Sequence, residues 1–130
     1  SPSKDDYIAA TARGLQMNYV LVRGTGRVEL YIARSSKAEN KRVFDELLSK
    51  RKQIEADFGG PLKWERLDTK LVCRVSHHVD SEGNSKDEDT WGQLQDDLVA
   101  NMMQLEAAVE PHIQKYREGA TVQLIEDIEQ

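Results

Sequence analysis

The chain has 130 residues, a mass of 14.8 kDa, 38% apolar and 32% charged residues and a formal charge of −5, which is one domain's worth of polypeptide with one core. It contains no apolar run near the eighteen or so residues that a membrane span needs, the longest, such as Tyr19 to Val22, being strand-length. Its single cysteine, Cys73, excludes an internal disulfide, so a soluble, cytoplasmic domain held by packing is expected.

From Ser3 an acceptor at the cap and Asp6 in the first turn predict a short helix ending near Gly14, with Ile8, Ala9, Ala12 and Leu15 on one face. The opening Ser1-Pro2-Ser3-Lys4 reads as the start of a piece cut from a longer polypeptide. From Asn18 the period changes to two: Tyr19 and Leu21 oppose Val20 and Val22, Gly24-Thr25-Gly26 allows a reversal, and Val28, Leu30 and Ile32 alternate with Arg27, Glu29 and Tyr31. This is a β-hairpin.

Ser36 and Glu39 form a capping-box pair that opens one helix running to Gly59 and stopped by Pro61. Its apolar stripe is Val43, Phe44, Leu47, Leu48, Ile54 and Phe58, interrupted by Arg51, which either lies along the core edge or carries its charge to a buried carboxylate or an interface. Leu62 to Leu67 and Lys70 to Val79 predict a second hairpin around Asp68-Thr69, with Leu71, Cys73 and Val75 on one face. Residues 80–90 are a polar, acidic connection. Thr90 and Gln93 make another capping box for a long helix carrying Trp91, Leu94, Leu98, Met102, Leu105 and Val109, which Pro111 should kink or restart and which ends at Gly119. The expected fold is therefore α+β, a two-layer sandwich of order α-β-β-α-β-β-α, with a four-stranded antiparallel sheet from two hairpins and helices on one face. Residues 1–119 form the domain, and 120–130 an acidic tail, a short helix or a frayed end.

The charge is unevenly spread. Residues 1–79 hold fifteen Lys/Arg against ten Asp/Glu, whereas 80–130 hold three against thirteen. Either two oppositely charged surfaces pack within one domain or between copies, or the basic half faces an anionic partner.

Period two also says which strand residues the helices leave uncovered. If Val28, Leu30, Ile32, Leu62, Trp64, Cys73 and Val75 face the helices, then Arg27, Glu29, Tyr31, Lys63, Glu65, Arg74, Ser76 and His78 face the other way. This amphoteric face is either solvated or a binding surface.

Catalytic patterns fail. Gly24/Gly26 and Gly59-Gly60 open no helix and so make no phosphate cradle. His77 and His78 point to opposite faces, and His112 is remote in sequence. From Asp80, an EF-hand would need Gly at Ser85 and Glu at Trp91. Cys73 and His77 are too far apart along a strand to act as a pair. Asp68-Thr69-Lys70 spells a fragment of a metal-nuclease motif on an exposed turn. No metal, no cofactor and no catalytic residue is expected for this domain.

The blocks Val28-Glu29-Leu30-Tyr31-Ile32, Phe44-Asp45-Glu46-Leu47-Leu48, Ile54-Glu55-Ala56-Asp57-Phe58-Gly59 and Leu62-Lys63-Trp64-Glu65-Arg66-Leu67, extending through Arg74-Val75 and Trp91 to about Tyr116, resemble a bacterial and archaeal family of unknown function. That family tends to form the C-terminal part of proteins whose N-terminal part looks like a restriction-endonuclease-type nuclease. The resemblance implies a non-catalytic accessory module, in a nuclease-like and phage-defence setting, that assembles or positions the nuclease. Its expected partners are the N-terminal nuclease-like domain of the same polypeptide or a second copy. The alternatives are nucleic-acid binding, with Arg27, Lys63 and Arg74 on phosphates and Tyr31 as a stacking surface, and a divalent-metal nuclease using Asp68 and Lys70.

Overall fold

A computed structural model describes residues 14–22, 25–79 and 88–129, with side chains described through Tyr116 apart from those of Val22 and residues 88–90. Two hairpins supply the sheet: β1 (Leu15–Val22) with β2 (Thr25–Ile32), and β3 (Lys63–Glu65) with β4 (Cys73–Val79). They join through an antiparallel β2–β4 pairing into one four-stranded sheet of order β1-β2-β4-β3. Between them run α1 (Lys37–Ser49) and α2 (Arg51–Phe58), and α3 (Glu88–Glu129) follows. The described order is thus β-β-α-α-β-β-α; the helix predicted over residues 3–14 lies outside the described residues.

Alternation dictates which sheet face is buried. Leu15, Met17, Val28, Leu30, Ile32, Cys73 and Val75 form one cluster with Val43, Phe44 and Leu47 of α1, Ile54 and Phe58 of α2, and Leu94, Leu98, Leu105, Val109 and Ile113 of α3. All three described helices therefore pack on the same side, the two-layer arrangement that the patterning predicts. Trp64 closes the layer, half-buried and edge-on to Phe44 with ring centroids 6.0 Å apart.

Five expectations are corrected. The helix predicted from Ser36 to Gly59 is two helices: at Lys50 the backbone leaves helical geometry and its N–H turns back to the Leu47 and Leu48 carbonyls. That break rephases the apolar stripe, so Arg51 lies outside it, exposed, with Nε 3.3 Å from Glu55. The Ser36 hydroxyl accepts from Glu39 N–H at 3.2 Å as a cap should, but the Glu39 carboxylate goes to Arg34 Nε at 2.7 Å, so only half of the box forms. The last helix begins at Glu88, before the proposed Thr90 cap, and Gln93 donates to Asp97 at 2.9 Å. That helix also runs unbroken past Pro111 and Gly119. A proline costs about 3 kcal/mol in a helix interior, and the buried Ala108, Val109 and Ile113 on either side of exposed Pro111 supply packing that offsets it. Finally, Leu71 is exposed because β4 starts only at Cys73, and β3 is shorter than predicted.

Two glycines meet specific demands. Gly59 ends α2 at φ 101°, a left-handed conformation that glycine adopts without cost. Gly26 lies under α3, where a Cβ would come within 2.7 Å of Leu98 Cδ2. No helix among the described residues is long and apolar enough to cross a membrane.

Candidate interaction face

The face of the sheet opposite the helices is organised by register into three rows. Val20, Arg27 and His78 form the first, Asn18, Glu29, Ser76 and Lys63 the second, and Gln16, Tyr31, Arg74 and Glu65 the third. Antiparallel partners share a face, so all eight residues that period two singles out, from Arg27 to His78, come together on one surface. Gln16, Asn18 and Val20 were missed, although they alternate with Met17, Tyr19 and Leu21 in the same way; β1 carries no charge to draw attention to them.

Glu29 is the hub of this face. Only 3% exposed, its carboxylate takes Arg27 Nε on Oε1 at 2.9 Å and Asn18 Nδ2 on Oε2 at 3.0 Å. Arg74 Nε stands 3.4 Å from the same Oε1, close enough for charge attraction but without hydrogen-bond geometry, and is otherwise a buried donor without a hydrogen-bond partner among the described residues. The Arg74 guanidinium also reaches Glu65 at 3.6 Å. A buried carboxylate needs such neighbours to remain charged without a large desolvation penalty. Ser76, beside Glu29 in the row, is 1% exposed. Lys63 and His78 are exposed at the rim, and Tyr31 is half-buried.

Two of the three cations on the face are therefore neutralised on the face itself. A shallow depression of about 490 Å³ runs beside β1, lined by Gln16, Asn18, Val20, Glu29 and Tyr31 together with Tyr19 and Leu21 from the other side of the strand. Such a surface is rigid, mixed in charge and rich in donors and acceptors. It suits a polar protein surface better than a phosphate backbone.

The helix layer holds a second polar cluster that the sequence reading did not find. Asn40, fully buried, accepts Arg34 N–H on Oδ1 at 2.8 Å and donates to the carbonyls of Arg34 at 2.9 Å and Leu71 at 2.8 Å. Lys41, 7% exposed, donates to the carbonyls of Arg66, Leu67 and Val72 at 2.6, 2.8 and 2.8 Å, with Cys73 Sγ at 3.4 Å. The pair pins the loop between β3 and β4, including Leu67, whose φ of 54° is costly for a residue with a Cβ. One signal was available: Asn40 sits three residues before Val43 and four before Phe44, squarely on the apolar stripe.

Burial pushes the Cys73 thiol up, partly countered by Lys41. Glu55 is held below the usual carboxylate range, first by the Leu62 N–H at 2.8 Å and then by Trp64 Nε1 at 3.1 Å and Arg51. Asp45 is lowered by the two hydrogen bonds it accepts from Arg66, at 2.9 and 3.0 Å. Tyr116 is raised by burial, and its hydroxyl donates to Glu46, tying α3 to α1.

The residues weighed for chemistry do not converge. His77 packs edge-on against Phe58 with centroids 5.0 Å apart, on the helix side, while His78 is on the open face. Asp68 is exposed on a turn and engaged by Arg66 Nη1. Among the described residues, no three His, Cys, Asp or Glu side chains are grouped so as to hold a metal ion. The proposed acidic connection lies, over residues 80–87, outside the described residues.

Over residues 1–113 the chain matches the model of a domain of unknown function, DUF4268, and it belongs to that family. No curated protein and no solved structure matches it.

Proposed function

We propose that this DUF4268 domain is a non-catalytic interaction module of a nuclease-like, phage-defence protein of the cytoplasm, and that it assembles or positions the nuclease through the open face of its sheet. The observation that carries the reading is the Glu29 hub. A buried carboxylate shared by Arg27, Arg74 and Asn18 holds three side chains at the centre of the sheet face, and no described helix packs on that face. Preordered side chains lose little entropy on docking, which is what a standing protein contact requires. The restriction-endonuclease-type partner is supplied by the resemblance of the sequence blocks above.

The test is calorimetric titration of the chain with a restriction-endonuclease-type domain encoded in the same polypeptide. Saturable binding that Tyr31→Ala or Lys63→Glu weakens about tenfold or more supports the reading. Absence of binding with a folded chain overturns it.

A second reading, nucleic-acid binding, draws on Lys63, exposed and without a side-chain partner among the described residues, and on Tyr31 in the same face. It is separated by fluorescence anisotropy of labelled single- and double-stranded oligonucleotides at two salt concentrations. Salt-sensitive binding lost in Lys63→Ala favours it; no binding removes it.

A further inference from the structure

The surplus of cations in the first part of the chain gathers on α1, α2 and the turn between β3 and β4, all within residues 25–79, which are described without a gap. Every carboxylate on these elements is already engaged. Glu39 is held by Arg34, Asp45 and Asp68 by Arg66, and Glu46 by Lys115. Glu55 lies against Arg51, and Asp57 accepts from the Gln53 amide. The cations exceed what these acids take up. Lys37, Arg42, Lys50, Lys52 and Lys70 are exposed, and none has a side-chain partner among the described residues. The break at Lys50 adds to this surface. A continuous helix would turn Arg51 onto the apolar stripe, whereas the loss of helical geometry at Lys50 leaves Lys50, Arg51 and Lys52 exposed together around a depression of about 520 Å³. Toward the other end of α1 a second depression, of about 680 Å³, is lined by Lys37, Arg42 and Arg66 with the two carboxylates that Arg66 holds. No aromatic side chain lines either depression.

From this imbalance we infer that the outer ridge of α1 and α2 is a docking surface for the phosphate backbone of duplex DNA, read without regard to base sequence. Lys37 and Lys50 stand about 20 Å apart along α1 at 1.5 Å per residue. Over that distance a duplex offers a charge about every 1.7 Å, more than enough phosphates for each unpaired cation. Their acids being taken, the cations are left to an outside anion. A protein partner would be expected to meet aromatic or large apolar anchors, and here Leu48, 36% exposed, is the one large apolar side chain around the two depressions. A single strand would call for aromatic rings on which bases stack, and the depressions have none. The formal charge of −5 does not oppose this reading, because thirteen of the acids follow residue 79 and the ridge precedes it, and salt screens charges beyond about 10 Å. The ridge lies on the layer opposite the sheet face proposed for the protein partner. The domain would thus hold the nuclease by one side and its substrate by the other. The inference stands without that partner, since its probe is DNA alone.

Fluorescence anisotropy of a labelled duplex of about twenty base pairs, titrated with the whole chain over a salt series, tests this. Each phosphate contact adds about 0.9 to the slope of log K against log salt. Four contacts therefore predict a slope of about −3.6 and a loss of about 150-fold between about 50 and 200 mM salt. Arg42→Ala combined with Lys52→Ala should reduce the slope by about 2 and weaken binding equally on two duplexes of unrelated sequence. Lys37→Gln combined with Lys50→Gln, an independent pair, should do the same. All four side chains are exposed, so far-ultraviolet circular dichroism should match the parent. No binding at about 50 mM salt, a slope that neither pair moves, or a single strand bound more tightly than the duplex overturns the inference. Loss of binding in Lys63→Ala would place the contact on the open face and overturn it too. Displacement of the duplex by polyglutamate at equal charge would point to an acidic protein partner, with the same consequence.

Discussion

Replacing Glu29 by Gln tests whether the open face is held by charge. The substitution keeps the shape and removes the negative charge, so the amide must present a donor to Arg27, Arg74 or Asn18 on at least one side. Breaking a fully buried ion pair by removing one partner costs about 3 to 5 kcal/mol. Here the carboxylate is 4% exposed, but Arg27 and Arg74 keep 24% and 26% of their exposure, so water takes over part of their solvation. The Arg74 contact, at 3.4 Å, also lacks hydrogen-bond geometry. A loss of about 2 kcal/mol is expected, or a fall in melting temperature of about 8 °C for a domain of this size. Urea unfolding followed by circular dichroism measures it, and the slope with denaturant should not change. A double-mutant cycle with Arg74→Met should return a coupling of about 1 kcal/mol. A Glu29→Gln protein within about 0.5 kcal/mol of the parent would show that the buried carboxylate does not organise the face.

Lys41→Met removes the donor from three carbonyls while keeping the stem; with about 1.5 to 3 kcal/mol per charged hydrogen bond set against relief of ammonium desolvation, about 3 kcal/mol of stability should go, read by the same urea titration. Glu55 has its folded pKa below the ordinary glutamate value of 4.5, so its contribution is complete above that value and fades as pH falls through the lower folded one. The stability difference between the parent and Glu55→Gln should therefore be about 1 kcal/mol at pH 7 and shrink below about pH 4.5 in melts over a pH series. Cys73, buried and raised in pKa, should react with an aromatic disulfide reagent at pH 8 on the order of a hundredfold more slowly in the native state than in urea.

Much of the architecture was legible because two periods do not resemble each other. Alternation at Val28, Leu30 and Ile32 against Arg27, Glu29 and Tyr31 assigned both the hairpin and its two faces, and the open face followed from the same parity. The break at Lys50 was not legible: it is a local backbone departure inside an otherwise helical stretch, and only Arg51 interrupting the stripe hinted at it. Pro111 does not restart the helix, since a local penalty is visible in sequence and the packing of Ala108, Val109 and Ile113 that offsets it is not. The clamp made by Asn40 and Lys41 depends on carbonyls some 25 to 31 residues away, and no local pattern reports such partners. The order of the strands was likewise a matter of tertiary pairing, decided by β2 meeting β4.

The central claim is that the working surface for the protein partner is the open sheet face rather than the helix layer. The most direct measurement is calorimetric titration with the restriction-endonuclease-type domain proposed as its partner, run side by side on Lys63→Glu, in the open face, and Lys52→Glu, exposed on α2 in the helix layer. The account predicts that Lys63→Glu weakens binding about tenfold or more and that Lys52→Glu leaves it within about twofold of the parent. The reverse pattern, or equal loss in both, would contradict it.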